Sequence, residues 1–212
     1  MTSPELRGWP SSDPRYSRSD VTAVVGSGDT VWERVARDVL RWRVKTASGF
    51  AVDSAGPVSP GDRVVVTARL FAWTVVEPVE VVAVVEEPDR VGFAYRTMPG
   101  HPVSGEEAFI VHRHGEEVRL TVRSLTRAAP QQPWRMLYPA LRVAQRIVRR
   151  RYLRALRWRG GSPNRMNGET SPMGSPAGEA SRRSLRDLLD QSLRQGECPV
   201  DQVGLLLGAA LG

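Results

Sequence analysis

Cysteine and lysine are almost missing from this chain: each occurs once, as Cys198 and Lys45. A lone cysteine excludes a disulfide within the chain and any multi-cysteine metal site, which agrees with a reducing compartment. No run of eighteen apolar residues occurs, and the opening MTSPELRGWPSSDPRYSRSD has no apolar stretch of the length a secretory signal needs. A soluble, cytoplasmic protein with no transmembrane segment is expected. Acid is missing from one long segment: between Val118 and Gly168 stand thirteen arginines and no Asp or Glu. The formal net charge of +7 therefore resides there, and the rest of the chain is net acidic. Such a local positive field attracts phosphate, nucleic acid or anionic lipid more than a uniformly basic surface does. An arginine-for-lysine skew this strong also follows from a G+C-rich genome, so arginine identity alone says little about phosphate recognition.

What is present builds one sizeable core, because 212 residues with 41% apolar content support one principal domain and a tail. VTAVV at 21–25 reads as a short strand ended by GSGD. Thr30 and Glu33 have capping-box spacing, and Val31, Trp32, Val35, Ala36, Val39 and Leu40 recur at helical steps through Trp42. Six strand-like runs follow: VKTASGFAV, RVVVTARLF, VEVVAVVEE, RVGFAYRTM, EEAFIVHRH and EVRLTVRSL, separated by turn signals such as SPGD, EEPD and PGHP. In the last run Val118, Leu120 and Val122 alternate with Arg119, Thr121 and Arg123, which predicts one covered and one wet face. From Pro133 to Trp158 an apolar stripe at steps of three and four, including Leu137, Leu141, Val148 and Tyr152, predicts a long covering helix with Pro139 in its second turn. The expected class is α+β: a curved antiparallel sheet of about seven strands under a long C-terminal helix. The domain is placed at residues 19–159. A flexible Gly/Ser/Pro linker is expected at 160–181 and a short amphipathic tail at 182–212, where Leu185, Leu188, Leu189 and Leu193 share a helical face.

Three separated motifs carry a family resemblance. GSGDTVWERVARDVLRW, then GFAYRTMPGHPVSGEEAF, then RRYLRAL resemble, in that order, the uncharacterised protein family 0548, a domain of unknown function. The likeness runs from about Val21 to Leu156. It departs at Arg96, where the family usually has glycine, and at SLTRAA, which replaces A-F-S-R-P. The family looks like a helix-grip or START-like domain, which implies an apolar cavity between the sheet and its terminal helix. That scaffold serves lipid carriers, receptors and cyclases alike, so it implies no single activity.

Candidate site residues follow from the loop AYRTMPGHPVSGEEAF. Phe93, Tyr95 and Thr97 share a strand face that the resemblance turns toward the cavity, with His101 and Glu107 at the rim as ligand contacts. A histidine facing Glu106 or Glu107 is also the pattern of a general base and its orienting carboxylate, so a cyclase- or hydrolase-type reaction is the competing reading. The plain alternative is a well-specified turn, since Pro99, Gly100, Pro102 and Gly105 fix its path. His112 and His114 alternate beside a charged turn and are not read as a metal site. GSGD lacks the third glycine of a dinucleotide loop, because position 31 is Val31, so no cofactor is expected. Arg96 and Arg127 are candidates for bringing positive charge to the pocket mouth. Arg142, Arg146, Arg149, Arg150 and Arg157 fall on one side of the long helix, as a solvated face or as a surface for anionic lipid or nucleic acid. The leading expectation is a binding domain for a small, mainly apolar or amphipathic ligand.

Overall fold

The structure is a computed structural model that describes residues 1–10, 13–54, 56–70, 73–132 and 134–157. The predicted linker and tail lie outside the described residues. Seven strands form one antiparallel sheet: β1 (Ser17–Ser27), β2 (Phe50–Val52), β3 (Arg63–Leu70), β4 (Trp73–Glu87), β5 (Arg90–Thr97), β6 (Val103–His114) and β7 (Glu117–Ala128). Their spatial order is β1-β7-β6-β5-β4-β3-β2, so β2 to β7 are a meander and β1 closes onto the last strand. Between β1 and β2 lie α1 (Asp29–Val39) and α2 (Arg43–Thr46), and α3 (Trp134–Ala155) follows β7. This is the helix-grip arrangement of the α+β class. Extra residues at Val25 in β1 and Val82 in β4 shift the register against the neighbouring strand. Such bulges increase local twist and bend the sheet toward its covering helices.

Alternation assigns the faces. Phe93 and Tyr95 of β5, Phe109 and Val111 of β6, and Val118, Leu120 and Val122 of β7 join one core with Val31, Val35 and Val39 of α1, with Tyr152 of α3 and with Leu156 just after it. The three buried valines of α1 recur every fourth residue, as one helix face requires. The predicted capping box does not form. The helix begins at Asp29 behind Gly28, whose φ of 84° and N–H bond to Glu116 O (2.8 Å) lead the chain out of β1, so Thr30 is already inside the first turn. Nor is VKTASGFAV one strand. Trp42 adopts the left-handed conformation (φ 59°) and starts the helical turn α2, Ser48 Oγ closes it on Val44 O (2.7 Å), and β2 keeps three residues.

The convex face, predicted to be wet, is partly covered. Thr121 and Arg123 are buried, and the N-terminal segment lies over them as a strap. Arg123 donates to the backbone oxygens of Ser3 (2.7 Å), Leu6 (2.9 Å) and Arg7 (2.9 Å). Arg90 donates to those of Pro4 (2.6 Å) and Leu6 (2.9 Å). Trp9, buried, lies under the guanidinium of Arg18 at 4.0 Å and donates to Met1 O (3.0 Å). A strap outside the sheet has few backbone partners for these carbonyls once it leaves water, Leu6 N–H to Ser3 O (3.2 Å) being one, and two forked guanidiniums supply the rest.

Candidate functional site

The sole lysine sits inside the domain. Lys45, on α2, is 3% exposed, with Nζ 3.4 Å from Glu107 Oε2 and 3.8 Å from Glu77 Oε2. Strand alternation delivers both carboxylates to the concave face: Glu77 precedes Val79 and Val81 on β4, and Glu107 precedes Phe109 on β6. Tyr95, the register partner of Glu107, donates its hydroxyl to the same Oε2 that faces Lys45. Aromatic rings enclose the ammonium, with Phe50 at 4.9 Å, Tyr152 at 5.1 Å and Tyr95 at 5.2 Å from Nζ to ring centroid. Trp42 completes the wall at 4.7 Å from Phe93, and its buried Nε1 has no hydrogen-bond partner. The left-handed turn at Trp42 places this ring and Lys45 three residues apart in the same interior.

His101 reaches the cluster from the β5–β6 loop. Its Nδ1 accepts from Val103 N–H (3.1 Å), and Nε2 lies 4.0 Å from Glu77 Oε2. The carboxylate it faces is therefore Glu77, not Glu106 or Glu107. Glu106 projects from the convex face and accepts from Thr2 N–H (2.6 Å), because adjacent strand residues point to opposite sides. Thr97 Oγ1 accepts from Gly105 N–H (2.9 Å), which ties the loop shut. A Cβ at Gly105 would lie 1.9 Å from Leu125 O, and Gly100 has a φ of 95°. The two glycines thus serve the turn, one by close approach and one by conformation. Phe93 is fully buried in the core beside Tyr95.

Of the predicted basic face, Arg142, Arg146, Arg150 and Arg157 are exposed. Arg149 turns inward instead and donates to Ser124 Oγ of β7 (2.8 Å), which pairs in register with Glu107. Arg96 pairs with Glu80 on the convex face (2.8 Å) and Arg127 lies 5.0 Å from the Tyr16 ring, so Arg149 is the arginine beside the interior acids. His112 Nε2 and Thr121 Oγ1 are within hydrogen-bond distance (3.0 Å) while His114 is exposed, and among the described residues no cluster of metal-ligating side chains occurs.

The electrostatics follow from enclosure. Burial pushes the Glu77 carboxyl above its usual range, with Lys45 opposing and Glu107 adding to the rise. Burial, then the Glu107 charge, pushes the hydroxyls of Tyr95 and Tyr152 well above theirs. Burial, with Lys45 beside it, lowers His101 from 6.5 to about 3, so the ring is neutral and donates only through Nε2–H, since Nδ1 accepts. Yet Glu77 and Glu107 keep 19% and 17% of their side-chain surface exposed, and no residue of α3 from Trp134 to Val148 is classed as buried where its side chain is described. Water therefore reaches the polar cluster. Neutral donors, carboxylate acceptors and one enclosed cation can hold a polar end group, while the surrounding rings accept an apolar body.

A pH prediction arises here. The unfolded state takes up a proton at His101 near 6.5, whereas the folded state resists it to about 3. The contribution of this site is complete above pH 6.5 and is lost as pH falls toward 3, by up to about 1.4 kcal/mol per pH unit. Glu77 works in the opposite sense, since its raised folded value favours the native state as pH falls toward its unfolded value. Substituting His101→Asn, whose Oδ1 replaces the Nδ1 acceptor, flattens or reverses the slope of urea-derived stability between pH 6.5 and 4. An unchanged slope would remove His101 as its source.

Comparison with known proteins agrees with the family resemblance. The family model described as "Domain of unknown function (DUF1990)" matches residues 4–155. The chain is 35% identical over 162 residues to a UPF0548 protein of Deinococcus radiodurans, covering 68% of this chain and 78% of that one. Among solved structures it is similar to a hypothetical protein of Helicobacter pylori, with 14% identity, coverage of 66% and 84%, and a TM-score of 0.46. A major latex-like protein of Panax ginseng shows 16% identity, coverage of 65% and 98%, and a TM-score of 0.39.

Proposed function

The chain belongs to the DUF1990 family, and we propose that its domain binds a small, mainly apolar ligand whose neutral hydroxyl or carbonyl end meets the Lys45–Glu77–Glu107 cluster. The observation that carries this reading is an enclosed ammonium between two carboxylates inside an aromatic wall. Ionic groups of this kind add less stability than apolar side chains of the same volume would, so their presence fits recognition better than packing. A neutral ligand is favoured because Lys45 and Arg149 already balance Glu77 and Glu107. A charged newcomer would have to leave water without a free counter-charge. Tyr95 and His101 are then polar contacts beside the cluster, Phe93 supports the wall, and Thr97 holds the loop that carries His101.

Native mass spectrometry of the full chain, set against its denatured mass, tests the reading together with titration by the neutral apolar dye Nile red. Expected are a reproducible extra mass that organic extraction removes, and dye binding by the extracted protein. Absence of both signals in protein that melts cooperatively would sink the proposal.

A further inference from the structure

The outer side of α3 is unusual for a solvated helix. It carries six exposed arginines and no acid, and along it Met136, Val143 and Ile147 stand exposed at 77%, 42% and 38%. Steps of seven and four put these three on one side of the helix, and the steps continue through exposed Arg150 and Arg154. Arg142 and Arg146, each one residue before an exposed apolar side chain, form the adjoining row. Among the described residues no acidic side chain pairs with any of these four arginines.

We propose that this face docks on an anionic lipid bilayer, with α3 lying in the plane of the interface. At 1.5 Å per residue its 22 residues present a strip of roughly 33 Å. Apolar side chains along the middle enter the headgroup boundary, and flanking guanidiniums reach phosphates above it on long aliphatic stems. A nucleic acid would engage the arginines equally well but would leave three apolar side chains against a polar groove, so the mixture favours lipid. The proposal stands without the ligand reading. If both hold, the helix that meets the membrane is also a wall of the ligand's interior, and exchange with the bilayer has a short route.

Co-sedimentation of the full chain with vesicles decides it. Expected are pelleting with phosphatidylcholine–phosphatidylserine vesicles, none with phosphatidylcholine alone, and loss as salt is raised. The triple variant Arg142→Glu, Arg146→Glu, Arg150→Glu should lose affinity at least about tenfold. Val143→Ser with Ile147→Ser, which keeps every charge, should weaken vesicle binding several-fold and leave binding to a single-stranded oligonucleotide unchanged. If charge reversal impairs folding, judged by thermal melting, the serine variant alone decides. No pelleting at low salt overturns the proposal. So does vesicle binding indifferent to Val143 and Ile147, and tight oligonucleotide binding in that case assigns the face to nucleic acid.

Discussion

Replacing Lys45 by methionine is expected to destabilise the domain by about 3–5 kcal/mol at neutral pH, since it leaves two carboxylates enclosed together with their cation gone. Methionine matches the aliphatic stem, so little of the loss comes from packing. The diagnostic feature is its pH dependence. Without Lys45, burial and the repulsion of Glu107 raise the folded-state value of Glu77 further above its unfolded value. The folded state then holds a proton that the unfolded state has released. Stability is highest below the unfolded value, near 4.5, and falls as pH rises through the window up to the raised folded value. Urea denaturation of Lys45→Met at pH 5 and pH 8 should show the variant more stable at pH 5, the difference growing by up to about 1.4 kcal/mol per unit within that window. Adding Glu77→Gln and Glu107→Gln should recover most of the loss and abolish the slope. A loss below about 1 kcal/mol, or one independent of pH, would mean that the three groups do not act as a unit.

Much of this architecture was legible because its signals are periodic. Five of the six strand runs after the first helix, the inward apolar residues of β7 and the stripe of α3 repeat at steps of two or of three and four, and burial follows them in the sheet and at Tyr152 and Leu156. The site was less legible because it hangs on what has no period. A four-residue helix such as α2 offers no window in which a repeat can appear, and a left-handed Trp42 has no sequence mark. In the sequence Lys45 therefore stands out as a compositional oddity and not as the centre of the interior. Two signals were available. Alternation alone puts Glu106 and Glu107 on opposite faces, and it puts Glu77 on the side of Val79 and Val81. The partner of His101 was beyond such reasoning, because the loop is brought beside Glu77 by bonds without a period, Met98 N–H to Pro78 O (2.9 Å) and His101 N–H to Met98 O (3.1 Å). Arg149 leaves the predicted solvated face for a similar reason. It borders the buried stripe of α3, and its inward turn depends on Ser124 beneath it.

The strap over the convex face yields the other large effect. Arg123→Met removes a set of charge-assisted bonds to the backbone of Ser3, Leu6 and Arg7, each of a class worth about 1.5–3 kcal/mol. The full sum is not expected. Once the strap costs more to hold than to release, it detaches and its carbonyls return to water, so the loss is capped at the free energy of docking, about 2–4 kcal/mol. Arg90 and the pairing of Thr2 with Glu106 anchor only part of the segment, and the ion pair of Arg7 with Asp89 is exposed and adds little to holding Arg7 in place. Arg123→Lys should rescue little, because an ammonium has no planar fork to span carbonyls that lie on both sides of it. Limited trypsin digestion reads the release directly, as rapid cleavage after Arg7 in the variant while the sheet remains intact. Equal protection of Arg7 in both proteins, with unchanged melting, would show that burial of Trp9 against Arg18 holds the strap and that the guanidinium of Arg123 is incidental to it.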